Sequence, residues 1–384
     1  MLALPLQRVV AINSNPTFHT FLRSNFGSDA DDIFESDFNG FQIARDAAIS
    51  VTYASDEDGL NSLLFIIYQL KRMAPRLSDY EAEMSVSFNY YDAFKPSKKI
   101  VCKTFYHDLC VFLWNYAALH SHIGSRVDRT TNEGIKIAQK HYQQSAGALD
   151  CIKDNYVNHM EDDLTTDFGP INGDVLSMCK ELMLAQAQLC FYEKAVKERK
   201  TGLMKPGIIA KLAAQTAAFY QTVVDLSKIG ICGTYVDASW NVHANFQSKC
   251  FVGAAEYWKA QSAKEIADLR GSGYGAEITR LIRSENALKD ALKYANNNKL
   301  KDAVTTGPNN LLKTIVNAKN NAIHDNETVY MENVPADGSL SPVGAVSLVK
   351  PSNPPKYKGV PQLKINSTAC YVQNKFFKGI SNLL

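Results

Sequence analysis

Along most of the chain apolar residues return every three to four positions, the spacing of amphipathic helices. The pattern is densest in Leu182-Met183-Leu184-Ala185-Gln186-Ala187-Gln188 and in Gly207-Ile208-Ile209-Ala210-Lys211-Leu212-Ala213. In the second stretch Ile208, Leu212 and Phe219 fall on one side, while Ile209, Ala213, Thr216 and Tyr220 fall on an adjacent one. That is more apolar surface than one buried stripe uses, so this helix needs two partners: its own fold and a second protein. The same periodicity predicts helices over 109–123, 135–152, 175–199, 208–228, 238–270, 276–296 and 311–320, with Thr130 and Glu133 as a capping box before the second. Glycine and proline mark the breaks, at Thr201-Gly202, Lys205-Pro206-Gly207, 230–233, Gly271-Ser272-Gly273 and Thr306-Gly307-Pro308. Connections this short make successive helices antiparallel, as a bundle or a solenoid of helix pairs.

Toward the N-terminus the period changes. Helical patterns at 18–26 and 60–73 flank an acidic stretch, 29–37, that reads as a loop, and 6–12 reads as extended. Met84, Val86, Phe88 and Tyr90 alternate with Ser85, Ser87 and Asn89; after a Lys95-Pro96-Ser97 turn come Ile100, Cys102 and Thr104, which predicts a hairpin. Beyond Asp325 the chain becomes proline-rich over 333–361. So long a stretch reads as a strap laid over the helical body, because a bare loop of that length is uncommon in a compact domain. A last amphipathic piece spans 371–384.

Composition narrows the function classes. The 384 residues are 46% hydrophobic, ample for a large core, and the net charge is +2 without any block of lysines or arginines. Such a balance lacks the electrostatic footprint of a nucleic-acid binder, though a weakly basic face is compatible with peripheral contact to acidic membrane. No apolar run approaches the roughly 20 residues of a membrane span and no signal peptide is evident, so the chain reads as cytoplasmic. Eight cysteines are scattered without a CxxC pair and read as buried free thiols; the sequons at Asn326 and Asn366 read as chance matches.

The chemical motifs are few. His120 and His122 are two apart on a helix and so face different directions, and no HExxH is present. Gly271-Ser272-Gly273-Tyr274-Gly275 follows a helix, not a strand, and reads as a flexible connection with no phosphate to hold. Glu161, Asp162 and Asp163 read as a solvated loop. No local triad and no phosphatase signature of Cys followed five residues later by Arg is found. These features imply no metal, no cofactor and no enzyme.

Five segments in order carry a resemblance: Asp92-Ala93-Phe94, the helix from Asn132-Glu133-Gly134-Ile135 to Gln143, Leu184-Ala185-Gln186-Ala187-Gln188, Ile208 to Ala213, and Val329-Tyr330-Met331-Glu332-Asn333-Val334-Pro335 with Pro342-Val343-Gly344. Together, over about positions 80 to 350, they resemble the BRO domain at the N-terminus of ALIX-type endosomal scaffolds. The resemblance implies a mainly α, boomerang-shaped domain. It would have a tetratricopeptide-like solenoid of helix pairs, a small N-terminal sheet and an extended C-terminal strap. The whole of 1–384 would be one domain, with helices and hairpin in 1–105, solenoid in 106–325 and strap with last helix in 326–384. The implied partner is the C-terminal amphipathic helix of an ESCRT-III subunit of the Snf-seven or charged-multivesicular-body-protein-four type. It would be held in a groove by Phe191, Ile208 and Leu212 with Lys136 and Lys194 beside them. Asn132 stands where the family has an acidic residue, and Tyr330 matches a tyrosine that kinases of the Src type engage. Recruitment to endosomal or plasma membrane would follow; sorting, proteolytic pH signalling and adhesion stay open as settings.

Overall fold

The computed structural model describes residues 1–13, 15–159 and 169–357. The carboxylates Glu161, Asp162 and Asp163, Cys370, Asn366 and the amphipathic piece at 371–384 lie outside them. Among the described residues helices dominate: α1 (Asn15–Phe26), α2 (Ser28–Ile49), α3 (Glu57–Leu77), α4 (Glu81–Met84), α5 (Phe105–Arg126), α6 (Asn132–Asn155), α7 (Gly173–Lys200), α8 (Pro206–Leu226), α9 (Cys232–Tyr235), α10 (Ala238–Arg270), α11 (Gly275–Asn297) and α12 (Asp302–Asp325). Three short strands, β1 (Arg8–Val9), β2 (Phe88–Tyr91) and β3 (Lys99–Cys102), form one antiparallel sheet in that order. The seven described cysteines are free thiols, and all but the half-buried Cys151 are buried.

Four local expectations need correction. The acidic stretch is not a loop but lies within α2. The cap of α6 is Thr131, not Thr130: the Thr131 hydroxyl accepts from Gly134 N at 3.0 Å, while Thr130 is held by the Asp128 carboxylate. Thr306-Gly307-Pro308 does not break a helix, since α12 runs through it. Gly307 brings no Cβ against the proline ring, and Val304, Leu311, Leu312 and Ala318 of α12 pack on a buried cluster that includes Ile315 and Leu281; this burial offsets the roughly 3 kcal/mol that an internal proline costs. Tyr330, finally, ends a π-helical turn, Asn326–Tyr330, that extends α12, so it is helical and not part of the strap.

The described residues pack into two compact units, one drawn from 5–119, 151–159, 169–172 and 353–357, the other from 1–4, 120–150 and 173–352. In the first, the register Phe88↔Cys102 and Tyr90↔Ile100 puts all four of these side chains on the buried face that the alternation predicts. The Asp92 carboxylate accepts from Phe94 N at 2.8 Å and Lys95 N at 2.9 Å, which closes the hairpin turn. Phe18, Phe88 and Phe105 make a ring cluster beneath it. Arg45 and Asp108 form a fully buried ion pair at 3.0 Å, joined by the Tyr90 hydroxyl at 2.6 Å. Burial lifts the Asp108 carboxyl above its ordinary range, against the opposing pull of Arg45.

In the second unit α7, α8, α10, α11 and α12 pack each on the next in chain order, the layout of stacked helix pairs. Where α10 meets α11, a Cβ on Gly253 would lie 2.7 Å from Leu288 Cγ, so only glycine permits the approach. The glycine loop before α11 is not merely flexible. Gly273 N and Gly275 N donate to the Glu332 carboxylate at 2.8 and 3.2 Å, so the loop does cradle an anion, supplied by the chain itself. Tyr330 lies flat on Tyr274 beside this latch, with ring centroids 3.6 Å apart.

Candidate partner-binding groove

The sequence-predicted contact residues all belong to the second unit, on the N-terminal half of α6, the C-terminal half of α7 and the N-terminal half of α8. Local chemistry fixes the α7–α8 corner. Gly202 takes a left-handed φ of 78°, Leu203 N returns to Glu198 O at 3.1 Å, and Pro206 opens α8 at a position where no intrahelical N–H is needed. Ala195, Ile209 and Leu212 then close a small core with Tyr192, Val196, Met204 and Trp258 around it. Tyr192 is the inward one of the adjacent aromatic pair: its ring meets Phe251 edge-on at 5.2 Å and its hydroxyl accepts from Trp258 Nε1 at 3.1 Å. Phe191, about 100° around the helix, is half-buried and takes no part in that cluster.

The turn before α6 is tied to α7 by polar contacts. Arg129 pairs with Glu193 at 3.0 Å, and Lys197 Nζ donates to the carbonyls of Arg129 and Thr130 at 2.9 and 2.5 Å. This brings Asn132 and Lys136 at the start of α6 toward the C-terminal half of α7. Both are exposed, and Lys136 reaches Glu133 at 3.6 Å. Lys194, half-buried, reaches Glu198 at 3.6 Å one turn along its own helix.

On α8 the two predicted anchors part company. Ile208 is 47% exposed, a large apolar side chain open to solvent, whereas Leu212 is 3% exposed and belongs to the core beneath it. The three helices therefore carry a floor of packed apolar side chains, an open isoleucine, a half-buried phenylalanine and two lysines. Tyr330, by contrast, lies at the α12 end beside Tyr274 and takes no part in this surface.

The glutamines of the Leu-Ala-Gln-Ala-Gln run have roles that their spacing alone did not disclose. Gln186 grips the N-terminal segment, accepting from Leu2 N at 2.5 Å and donating to Leu2 O at 2.9 Å. Gln188, two residues on and so on the opposite side of α7, grips the strap in the same two-handed way, at Val346 O and Leu348 N.

A family model described as the BRO1-like domain matches residues 1–381. The chain belongs to this family. The match extends well beyond the 80–350 region that carried the resemblance. The BRO1-like domain is 30% identical over 308 residues to the vacuolar-sorting protein BRO1 of Arabidopsis thaliana, covering 78% of this chain and 34% of that protein. It is also 30% identical over 348 residues to the programmed cell death 6-interacting protein of Homo sapiens, covering 86% and 37%. The chain thus spans about a third of the length of these curated relatives. A solved structure described as the ALIX BRO1 CHMP4C complex superposes with a TM-score of 0.80 at 23% identity, covering 94% of this chain and 97% of that one, which gives the BRO1-like domain its fold. The mainly α expectation with a small N-terminal sheet accordingly holds. Among the described residues no helix is long and apolar enough to cross a membrane, and no cluster of three metal-ligating side chains occurs.

Proposed function

We propose that this BRO1-like domain is a non-enzymatic interaction module of an ESCRT-associated scaffold, and that it binds the C-terminal amphipathic helix of an ESCRT-III subunit of the charged-multivesicular-body-protein-four type. The single observation that carries the reading is Ile208: it is open to solvent directly over the core formed by Leu212, Ile209 and Ala195, with Phe191 on the neighbouring helix. An apolar helix face with anchors at i, i+3, i+4 and i+7 fits such a surface. The similarity to a solved BRO1 domain described with CHMP4C supports the choice of partner. Binding would bring the cytoplasmic domain to endosomal membrane. Lys136 and Lys194 would meet polar groups at the ligand's edge, and Asn132 would offer an amide there in place of a charge.

Calorimetry with a CHMP4C C-terminal peptide tests this. Ile208→Asp places an unpartnered carboxylate in the contact, and affinity should fall by about thirtyfold, roughly 2 kcal/mol. Because Ile208 is exposed, the variant should melt like the wild type. Equal affinity of variant and wild type would move the site elsewhere. Leu212→Asp is the less informative substitution, since it attacks the core as well as the ligand.

A further inference from the structure

We propose that the outer edge of β3 is a second docking site, independent of the groove, and that it takes an extended acidic peptide, which adds to the sheet as a further strand.

The pairing of the sheet fixes which backbone groups are engaged. Asp92 N donates to Lys98 O at 2.9 Å, and the register continues through Tyr91↔Lys99, Tyr90↔Ile100, Asn89↔Val101 and Phe88↔Cys102. Hydrogen-bonded pairs alternate with non-bonded ones along an antiparallel ladder, so Ile100 and Cys102 bond to β2 while the N–H and C=O of Lys99 and Val101 point away from it. Asn89, opposite Val101, follows the same alternation, since its carbonyl accepts from Val10 N at 2.9 Å on the β1 side. Among the described residues no hydrogen bond reaches the outward groups of Lys99 or Val101.

The opposite edge of the sheet is closed. Arg8 and Val10 face β2, which turns the backbone groups of Gln7 outward, and one side chain takes both of them. Gln7 N donates to Asn115 Oδ1 at 2.7 Å, and Gln7 O accepts from Asn115 Nδ2 at 2.9 Å. The fold thus caps one edge with an asparagine and leaves the other bare, and a bare edge is a template for another strand.

The side chains beside the open edge select the occupant. Lys99, Val101 and Lys103 fall on the solvent face, because Ile100 and Cys102 between them are buried. Both lysines are exposed, and Val101 is 47% exposed between them. From 93 to 107 the chain carries Lys95, Lys98, Lys99 and Lys103 and no carboxylate, while Asp92 is buried and turned to the N–H groups of Phe94 and Lys95. Arg8, stacked on the Tyr91 ring at 3.7 Å, carries the same sign of charge across the sheet. A second copy pairing through this edge would set lysine against lysine, which like-charge repulsion disfavours. An acidic strand meets no such barrier. Alternate residues of a strand share one face, so a segment with acidic, apolar and acidic residues at i, i+2 and i+4 sets its carboxylates beside Lys99 and Lys103 and its apolar side chain beside Val101. Five residues, about 17 Å of extended chain, suffice.

The test is fluorescence anisotropy of a labelled peptide, Ser-Glu-Thr-Val-Thr-Glu-Ser, titrated with the full chain at low salt. Three altered peptides accompany it: one with lysine for both glutamates, one N-methylated at the glutamates and the valine, and one N-methylated at the two threonines. The parent peptide should bind and its lysine form should not; Lys99→Glu with Lys103→Glu should reverse that preference, weakening the parent by about tenfold. Only alternate amides of an added strand face β3, so one N-methylated peptide should lose about tenfold and the other should stay within about threefold of the parent. Val101→Pro removes an outward N–H without touching the β2 ladder and should weaken the parent by about tenfold while melting like the wild type; the N-methylated peptides carry the same test on the unaltered chain. If both N-methylated peptides bind as the parent does, the attraction is charge alone and strand addition is overturned. Absence of binding to the wild type overturns the proposal, as does binding that Ile208→Asp removes, since the peptide would then sit in the groove. A chain whose four edge lysines hold it to phosphatidylserine vesicles but which ignores the peptide would make this face a lipid contact and overturn the proposal as well.

Discussion

His120 shows how one side chain ties this fold to pH. Its Nδ1 lies 2.7 Å from Nδ1 of His141, both rings are buried, and burial followed by the neighbouring His141 and Lys140 holds His120 well below its ordinary value. Between that depressed value and about 6.5 the unfolded chain binds a proton at this position that the folded chain does not. Stability from this group is therefore complete above about pH 6.5 and declines as the pH falls. Glu277, pushed up to about 7 by burial, acts in the opposite sense, so the whole-chain profile mixes both. The contribution of His120 is isolated by difference: thermal midpoints at pH 7.5 and 5.5 should drop more for wild type than for His120→Gln. Equal drops would remove the histidine pair from the pH response. Sequence reading placed His120 and His122 on different faces, and they are, with His122 Nε2 at 3.0 Å from the Leu4 carbonyl; that the partner would be His141 was invisible without the fold.

At the scale of elements, helix spacing is enforced at single positions. Gly253→Ala should drive its new methyl into Leu288 and destabilise the α10–α11 contact by about 1–3 kcal/mol, while Gly40→Ala in α2, with nothing within 4 Å of the added Cβ, should stabilise by roughly 0.5–1 kcal/mol. Chemical denaturation of both variants checks the contrast, and the same sign of change in the two would refute it. Periodicity disclosed the long helices and the β2–β3 hairpin because both bury one face completely, as with Phe88, Tyr90, Ile100 and Cys102. It misjudged the places where a long-range contact overrules a local signal. Pro308 stays helical because the flanking residues are buried on α11, and the glycine loop before α11 becomes an anion cradle only because Glu332, nearly sixty residues on, arrives to fill it. Glu332 in turn is aimed by Asn326, whose side-chain amide donates to its carbonyl at 3.0 Å.

For the whole molecule, the family and its helical architecture were legible from five ordered segments, but the division of labour within the groove was not. Ile208 and Leu212 look equivalent at i and i+4, and only the packing of Tyr192, Met204 and Trp258 assigns one to solvent and the other to the core. The hold of Gln188 on the strap was not legible either, because its partners Val346 and Leu348 lie 158 and 160 residues further along the chain. The central claim is that α6, α7 and α8 together hold an amphipathic helix. Hydrogen–deuterium exchange of the full chain with and without saturating CHMP4C C-terminal peptide tests it most directly. The account predicts added protection over 132–143, 188–200 and 206–215, with the 271–275 loop and the β2–β3 hairpin unchanged; protection confined to segments outside those three, or none at all with the peptide bound, would contradict it.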